Sequence, residues 1–249
     1  MAHIDQLANI LKRLNEGEDP SSVKEETREF LASVSPEELS YAEQKLIEAG
    51  LPPEDLRHLC SAHMDMLGDD LEKMRMELEP GHVVHTMVCE HDKILSFLDQ
   101  LEGLNMKVQS SDSLKKSSEE YKKLVHIAEH LLDAESHHLR EEEVLFQEIE
   151  SRGVTGPPRI MRMEHDDMRH RKHELKTLTE VVDEMDFTSF KSRLDTVSKM
   201  IILTLRDHIF KENNILYPTA LSVIQDDEIW RKMKIRCDEI GYCCFTPSH

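Results

Sequence analysis

Glycine and aromatic residues are scarce in this 249-residue chain: 8 Gly, with Phe, Trp and Tyr together at 5%. Strands favour β-branched and aromatic side chains, so this composition argues against a sheet protein. No apolar run approaches the roughly 18 residues that span a bilayer, which argues against a helical membrane span. Basic residues are also in short supply: 31 Lys and Arg stand against 50 Asp and Glu, a net charge of −19. Nucleic acid, whose phosphates need cationic partners, is therefore not an expected ligand. The five cysteines form no paired framework, Cys60 and Cys89 lying far from Cys237, Cys243 and Cys244, and a cytoplasmic, reducing setting is expected. An early acid and no basic stretch in "MAHIDQLANI" argue against a secretory signal. No Ser-His-Asp order, phosphate loop or nucleotide fingerprint is present.

What abounds is Glu, Leu, Lys and Met, all helix formers, and histidine: 15 residues, dense between His82 and His208. The expected class is all-α. The first part breaks into short helices. In "IDQLANILKRLNEGEDP", Ile4, Leu7, Leu11 and Leu14 keep helical spacing. "SPEEL" is a capping box with Ser35 as N-cap, Pro36 at the first helical position and Glu38 three residues after the cap. A longer helix is expected from about 54 to 79, ending at "EPGH". Four long helices follow, near 82–104, 113–151, 158–185 and 188–221, joined by turn formers. This pattern predicts an up-down four-helix bundle. The expected division is a small helical domain at 1–79, the bundle at 80–222 and a tail at 223–249 that packs back through Trp230 and Tyr242.

Four histidines carry an acid four residues on: His137–Glu141, His138–Glu142, His170–Glu174 and His208–Glu212. In a chain this acidic, that is little above chance. An internal repeat changes the weight of two of them. "SHHLREEEVLFQ" aligns without gaps on "DHIFKENNILYP", placing His137 on His208, Glu141 on Glu212 and Phe146 on Tyr217. The preceding helices share Glu-His-Asp, in "CEHDKI" and "MEHDDM". The bundle thus reads as two related helix hairpins, each with a lone His followed by a His-x-x-x-Glu pair.

Helical phase puts these residues inward. Val84, Met87, Val88, His91, Ile94, Leu95 and Leu98 form one stripe. Met161, His165, Met168, Leu175 and Val182 form another, interrupted by Lys172. Ile201, Leu205, His208, Glu212 and Ile215 share a face, with Ile215 and Leu216 expected to seal it below. The second helix accepts either His137 with Glu141 or His138 with Glu142, and the repeat favours the first pair. His82 or His85 is an alternative to His91, and His130, two turns before His137, is an expected pocket residue or an exposed histidine. Cys60-x-x-His63 has no matching second half and reads as packing. Four imidazoles and two carboxylates buried together cost more than a domain's net stability unless a cation compensates them. Metal ligands are therefore expected at His91, His137, Glu141, His165, His208 and Glu212, a donor set suited to a pair of iron or manganese ions.

At "EHDKIL", "HHLREEEVLF", "MEHDDMR" and "HIFKENNILYP" the chain resembles the hemerythrin-like family of His-His-Glu cation-binding domains, over about 82–221. That resemblance implies a non-haem di-iron centre with bridging carboxylates and an oxo or hydroxo bridge; manganese or zinc are substitutes. His91 and His165 become its single ligands, while His137 with Glu141 and His208 with Glu212 supply the rest. Oxygen-carrying members use a further His one turn past the third-helix ligand, where this chain has Arg169; His170 lies about 140° round the helix and does not replace it. The implied activity is binding of, or response to, O2, NO or peroxide in sensing, iron handling or iron–sulfur cluster repair. The N-terminal part, through "NEGEDP" and "LPPEDLRHLCSAH", is similar to a small helical domain of unknown function found ahead of such bundles, a resemblance that brings no mechanism with it; a protein partner is a separate expectation for this domain. Two other readings stand beside this one: a metal-free helical module binding a partner, and a di-iron oxygenase, disfavoured because such bundles use four carboxylates.

Overall fold

A computed structural model describes residues 2–15, 18–31, 33–51 and 78–247, all helical or turn with no strand among them. The helix expected near 54–79, with Cys60 and His63, lies outside the described residues. Among the described residues, three N-terminal helices, α1 (Ala2–Asn15), α2 (Pro20–Leu31) and α3 (Pro36–Glu48), precede the bundle. Ser35 caps α3 with the full capping box, its side chain accepting from the Glu38 N–H.

The first bundle helix is α4 (Val83–Gln109), and His82 caps it through Nδ1, which accepts from the Val84 N–H. The second begins at Glu119, later than expected, because Ser118 caps it. It runs as α5 (Glu119–Asp133), α6 (Glu135–Arg140), a π-turn (Glu141–Leu145) and α7 (Phe146–Glu150). The third is α8 (Gly156–Glu180). The fourth is α9 (Phe187–Lys211), a second π-turn (Glu212–Leu216) and α10 (Tyr217–Val223); α11 (Asp227–Ile240) closes the chain. Both π-turns start at the glutamate of a His-x-x-x-Glu pair, so the repeat extends to backbone geometry.

Two apolar cores stack along the bundle. One gathers Ile94, Leu98, Leu131, Met168, Leu205 and Ile209; the other gathers Val84, Met87, Leu145, Phe146, Met161 and Leu216. On the first three long helices a His separates the residues of one core from those of the other, and on the fourth Glu212 does, so a polar layer divides the bundle. A third core joins the N-terminal helices to the bundle: Leu7, Leu11, Leu39 and Ala42 pack with Ile160 and Ile215. This corrects the reading of Ile215 as a seal beneath His208 and Glu212. The π-turn rotates it outward against the N-terminal helices, and Leu216 alone joins the lower core.

The contact with α3 is close. Ser40 Oγ and Thr219 Oγ1 are 3.1 Å apart and buried, and the Gln44 side chain accepts from the Thr155 N–H at 3.1 Å. A Cβ on Gly156 would stand 3.1 Å from Gln44 Cβ, so the close approach of α3 to α8 requires glycine there. At the other end, Trp230 donates to the Ile224 carbonyl at 2.8 Å and its ring meets His82. Tyr242 lies under the Arg140 guanidinium, 4.6 Å from the ring centre.

Candidate metal centre

His91, His137, Glu141, His165, His208 and Glu212 all lie in the polar layer, each at most 1% exposed. The ring Nε2 atoms of His91 and His137 face each other at 3.1 Å, and those of His165 and His208 at 2.9 Å. Each carboxylate reaches both pairs. Glu212 is 3.1 Å from His91 and 2.7 Å from His208; Glu141 is 3.6 Å from His137 and 3.4 Å from His165.

The Nδ1 atoms fix what the Nε2 atoms can do. His137 Nδ1 donates to Glu90 at 2.7 Å, and His208 Nδ1 donates to Glu164 at 2.8 Å. His165 Nδ1 donates to Glu142 at 2.6 Å, and His91 Nδ1 to Asn213 Oδ1 at 2.8 Å. With a proton held on every Nδ1, the neutral rings present lone pairs at every Nε2. Lone pairs facing at about 3 Å repel unless a cation or a proton lies between them. Burial also opposes a charged ring, yet the surrounding carboxylates outweigh it: His91 and His208 are raised, and His165 is raised to about 10. The layer is thus built for positive charge, which protons supply in the metal-free chain and metal ions displace. Among the described residues, buried Glu141 Oε2 and Glu212 Oε1 have no hydrogen-bond partner, which completes the fit to a cation. Among the described residues, three groups have ligand atoms mutually within 4.8 Å: His91, His137 and Glu212; Glu141, His165, His208 and Glu212; and His138, His165 and His208.

The outer residues were not visible in helical phase. Arg140 donates to both Glu90 oxygens at 2.7 Å, and Lys211 Nζ donates to Glu164. Thr246, from the tail, also donates to Glu90. Burial works against ionising Glu90 and Glu164, but His137 with Arg140, and His208 with Lys211, hold both carboxyls down to about 2. The sequence did hold a signal for them. Each Glu-His-Asp carries its acid directly before the ligand, and a base precedes Glu141 and Glu212 alike.

Tyr217 was missed for a different reason. Five residues past Glu212, it would lie about 140° away on a regular helix. The π-turn bonds the Tyr217 N–H to the Glu212 carbonyl, so five residues make one turn and the two share a face. Its hydroxyl donates to Glu141 at 2.7 Å and stands 3.3 and 3.4 Å from the Nε2 atoms of His91 and His137. Phe146 holds the matching place near His165, ring centres 5.9 Å apart.

The other histidines fall elsewhere. His138 is buried and stacks on His165, while Glu142 orients His165. His85 Nδ1 lies 3.7 Å from Cys89 Sγ, and His82 caps α4. His130 bonds the His126 carbonyl and packs on Phe97, half-buried at the surface and away from the donors. Arg169, standing one turn past His165, binds Glu135 and Glu142 and so supports that ring from outside. Burial pushes the Cys237 and Cys243 thiols up to about 11, which suits inert, structural cysteines.

An all-α bundle with a buried His/Glu layer shared by its four long helices defines a cation-binding protein class. The chain matches the model of the hemerythrin HHE cation binding domain over residues 82–220, more than half its length, and belongs to that family. Residues 7–73 match a family of unknown function, DUF438. The chain is also 35% identical, over 92 residues, to proteins named iron-sulfur cluster repair protein YtfE from Salmonella schwarzengrund (strain CVM19633) and Salmonella newport (strain SL254). That match covers 35% of this chain and spans 41% of the length of those curated relatives. Among the described residues, no helix is long and apolar enough to cross a membrane.

Proposed function

We propose that the six inward donors hold a pair of iron ions, and that the protein binds or responds to small oxidants, O2, NO or peroxide, in the cytoplasm. The observation that carries this is the convergence of four Nε2 lone pairs on two carboxylates, each with one buried oxygen that lacks a hydrogen bond among the described residues. Iron is favoured over zinc by the mixed imidazole and carboxylate set, by two adjacent donor groups that share Glu212, and by similarity to proteins named for iron–sulfur cluster repair. When bound, the metal pair supplies redox chemistry toward such molecules.

The chain's own part is to hold and to exclude. Glu90, Glu164, Glu142 and Asn213 keep each ring in the ligand tautomer, while Arg140 and Lys211 keep Glu90 and Glu164 ionised. The apolar cores above and below keep water from the layer. Packing of Ile215 and Thr219 against the N-terminal helices links the turn after Glu212 to that domain, which supports a role in sensing as well as in iron handling or repair.

Metal analysis of protein from iron-supplemented cells tests this. About two irons per chain are expected, with a charge-transfer absorption that is lost in His208→Ala and Glu212→Ala. Iron below one per chain, or chelation that leaves the melting temperature unchanged, would overturn it in favour of the metal-free partner-binding module.

A further inference from the structure

The repeat that duplicates the ligands is broken beside them in one place. His138 stands where the other hairpin has Ile209, and Lys172 where it has Leu98. Ile209 and Leu98 are apolar core residues at 3% and 0% exposure; His138 and Lys172 are as buried, at 3% and 2%. A buried imidazole and a buried ammonium thus replace two aliphatic side chains next to the His165–His208 pair.

Neither is satisfied. His138 Nδ1 and Lys172 Nζ have no hydrogen-bond partner among the described residues, and both lie 3.6 Å from the same oxygen, Glu135 Oε2. The other Glu135 oxygen accepts from Arg169 Nε at 2.5 Å. Arg169 also bonds Glu142 and Asp166, which leaves Lys172 with the Glu135 oxygen it shares with His138, at 3.6 Å. Burial pulls the Lys172 ammonium down to about 8, which leaves it charged at neutral pH. A buried cation and a buried N–H without acceptors are costly, so a ligand carrying acceptors and negative charge is what the niche lacks.

His138 also borders the metal layer. The His138 ring stacks on His165, centres 4.0 Å apart and planes within 6°. One of its nitrogens lies within 4.8 Å of the ligand nitrogens of His165 and His208. A stacked ring is out of plane for joining His165 on one metal ion, but it is well placed to hydrogen-bond something held there. On the opposite side, the Tyr217 hydroxyl fills the space beside His91 and His137.

We infer that His138 and Lys172 form a subsite for a small monovalent anion of a few atoms, of the size of azide or nitrite, which reaches the metal pair from the His165–His208 side. The inference rests on the metal reading above. Glu135, a third of it exposed, is where this pair meets the surface.

The test uses the full-length protein from iron-supplemented cells, oxidised, with iron measured before azide is added. Azide binding is then followed by its charge-transfer absorption in the wild type, His138→Ile and Lys172→Leu. Both replacements install the residue of the other hairpin and remove an unpaired buried polar group, so both should melt at or above the wild-type temperature. The expected result is unchanged iron content with azide affinity weakened at least about tenfold in each variant. Affinity within about twofold of wild type, at equal iron, would overturn the subsite and leave the metal centre standing. Iron below one per chain in the wild type would overturn the metal reading, and the subsite with it, before azide enters the experiment.

Discussion

On the His137 side of the metal layer, Glu90 takes the Nδ1 proton and Arg140 neutralises Glu90; on the His208 side, Glu164 and Lys211 do the same. Elsewhere the two hairpins part. Glu142 orients His165 where the amide of Asn213 orients His91, and Phe146 packs where Tyr217 donates to Glu141. His138 and Lys172 replace Ile209 and Leu98. The positions kept alike are those that fix a ligand's tautomer and charge, which any metal at either place would need. The positions that differ border the remaining space around the layer, where a third molecule would have to fit. Symmetry here marks holding, and asymmetry marks what is held out or let in.

The largest effect should come from breaking what the halves share. Glu212 faces both His91 and His208, so Glu212→Gln should strip metal from both halves at once, to below one ion per chain by metal analysis. Loss of ions from one half only would show that the halves bind independently and that Glu212 does not bridge them. Next come the buried bases. Arg140→Met and Lys211→Met each leave a buried carboxylate without its cation, at about 3–5 kcal/mol in denaturant unfolding. Arg140 also donates to the Ser136 carbonyl and lies over Tyr242, so its loss should be the larger. Equal and small losses would mean that the histidines alone sustain Glu90 and Glu164.

Acid should reach both halves alike. In the metal-free chain Glu90 and Glu164 titrate near 2, against 4.5 when unfolded. A depressed carboxyl contributes stability that is present above its unfolded value and is lost as pH falls toward its folded one. The loss should therefore run from about pH 4.5 to about 2, worth roughly 3 kcal/mol for each group. Glu90→Gln and Glu164→Gln should each flatten that part of the stability curve; a curve unchanged in either variant would refute the pairing on that side.

How far the sequence could be read follows from the reach of each interaction. Periodicity of 3.6 acts within one helix, and it brought out the bundle and the inward faces of His91, His165 and His208. The repeat added what periodicity left open, preferring His137 over His138; in the structure both are buried, His137 with His91 and Glu212, and His138 with His165 and His208. Glu90 and Arg140 stayed hidden because their meaning is a contact between helices 50 residues apart, and nothing in either helix alone demands it. Ile215 and Tyr217 were misjudged or missed for one shared reason. A phase drawn at 100° per residue fails past a π-turn, and each π-turn begins at a candidate ligand glutamate, Glu141 or Glu212.

Tyr217→Phe is the mildest way to test the comparison, since it makes one half match the other. The hydroxyl is buried and its acidity pushed well below normal, by burial first and then by the charges of Glu141 and Glu212, so it stays a neutral donor. Its loss removes one hydrogen bond to Glu141 Oε1 and opens no new cavity beyond an oxygen's width. The expected cost is about 1 kcal/mol, a drop of a few degrees in melting temperature. Iron content should stay as it is, because Glu141 still faces His137 and His165. What should move is the difference between the two irons. With Phe on both sides their Mössbauer quadrupole splittings should draw together, and the reciprocal Phe146→Tyr should alter the iron beside His165 in turn. Splittings that stay put in both variants would mean that the hydroxyl is a packing feature, and that the asymmetry of the layer comes from His138 and Lys172 alone.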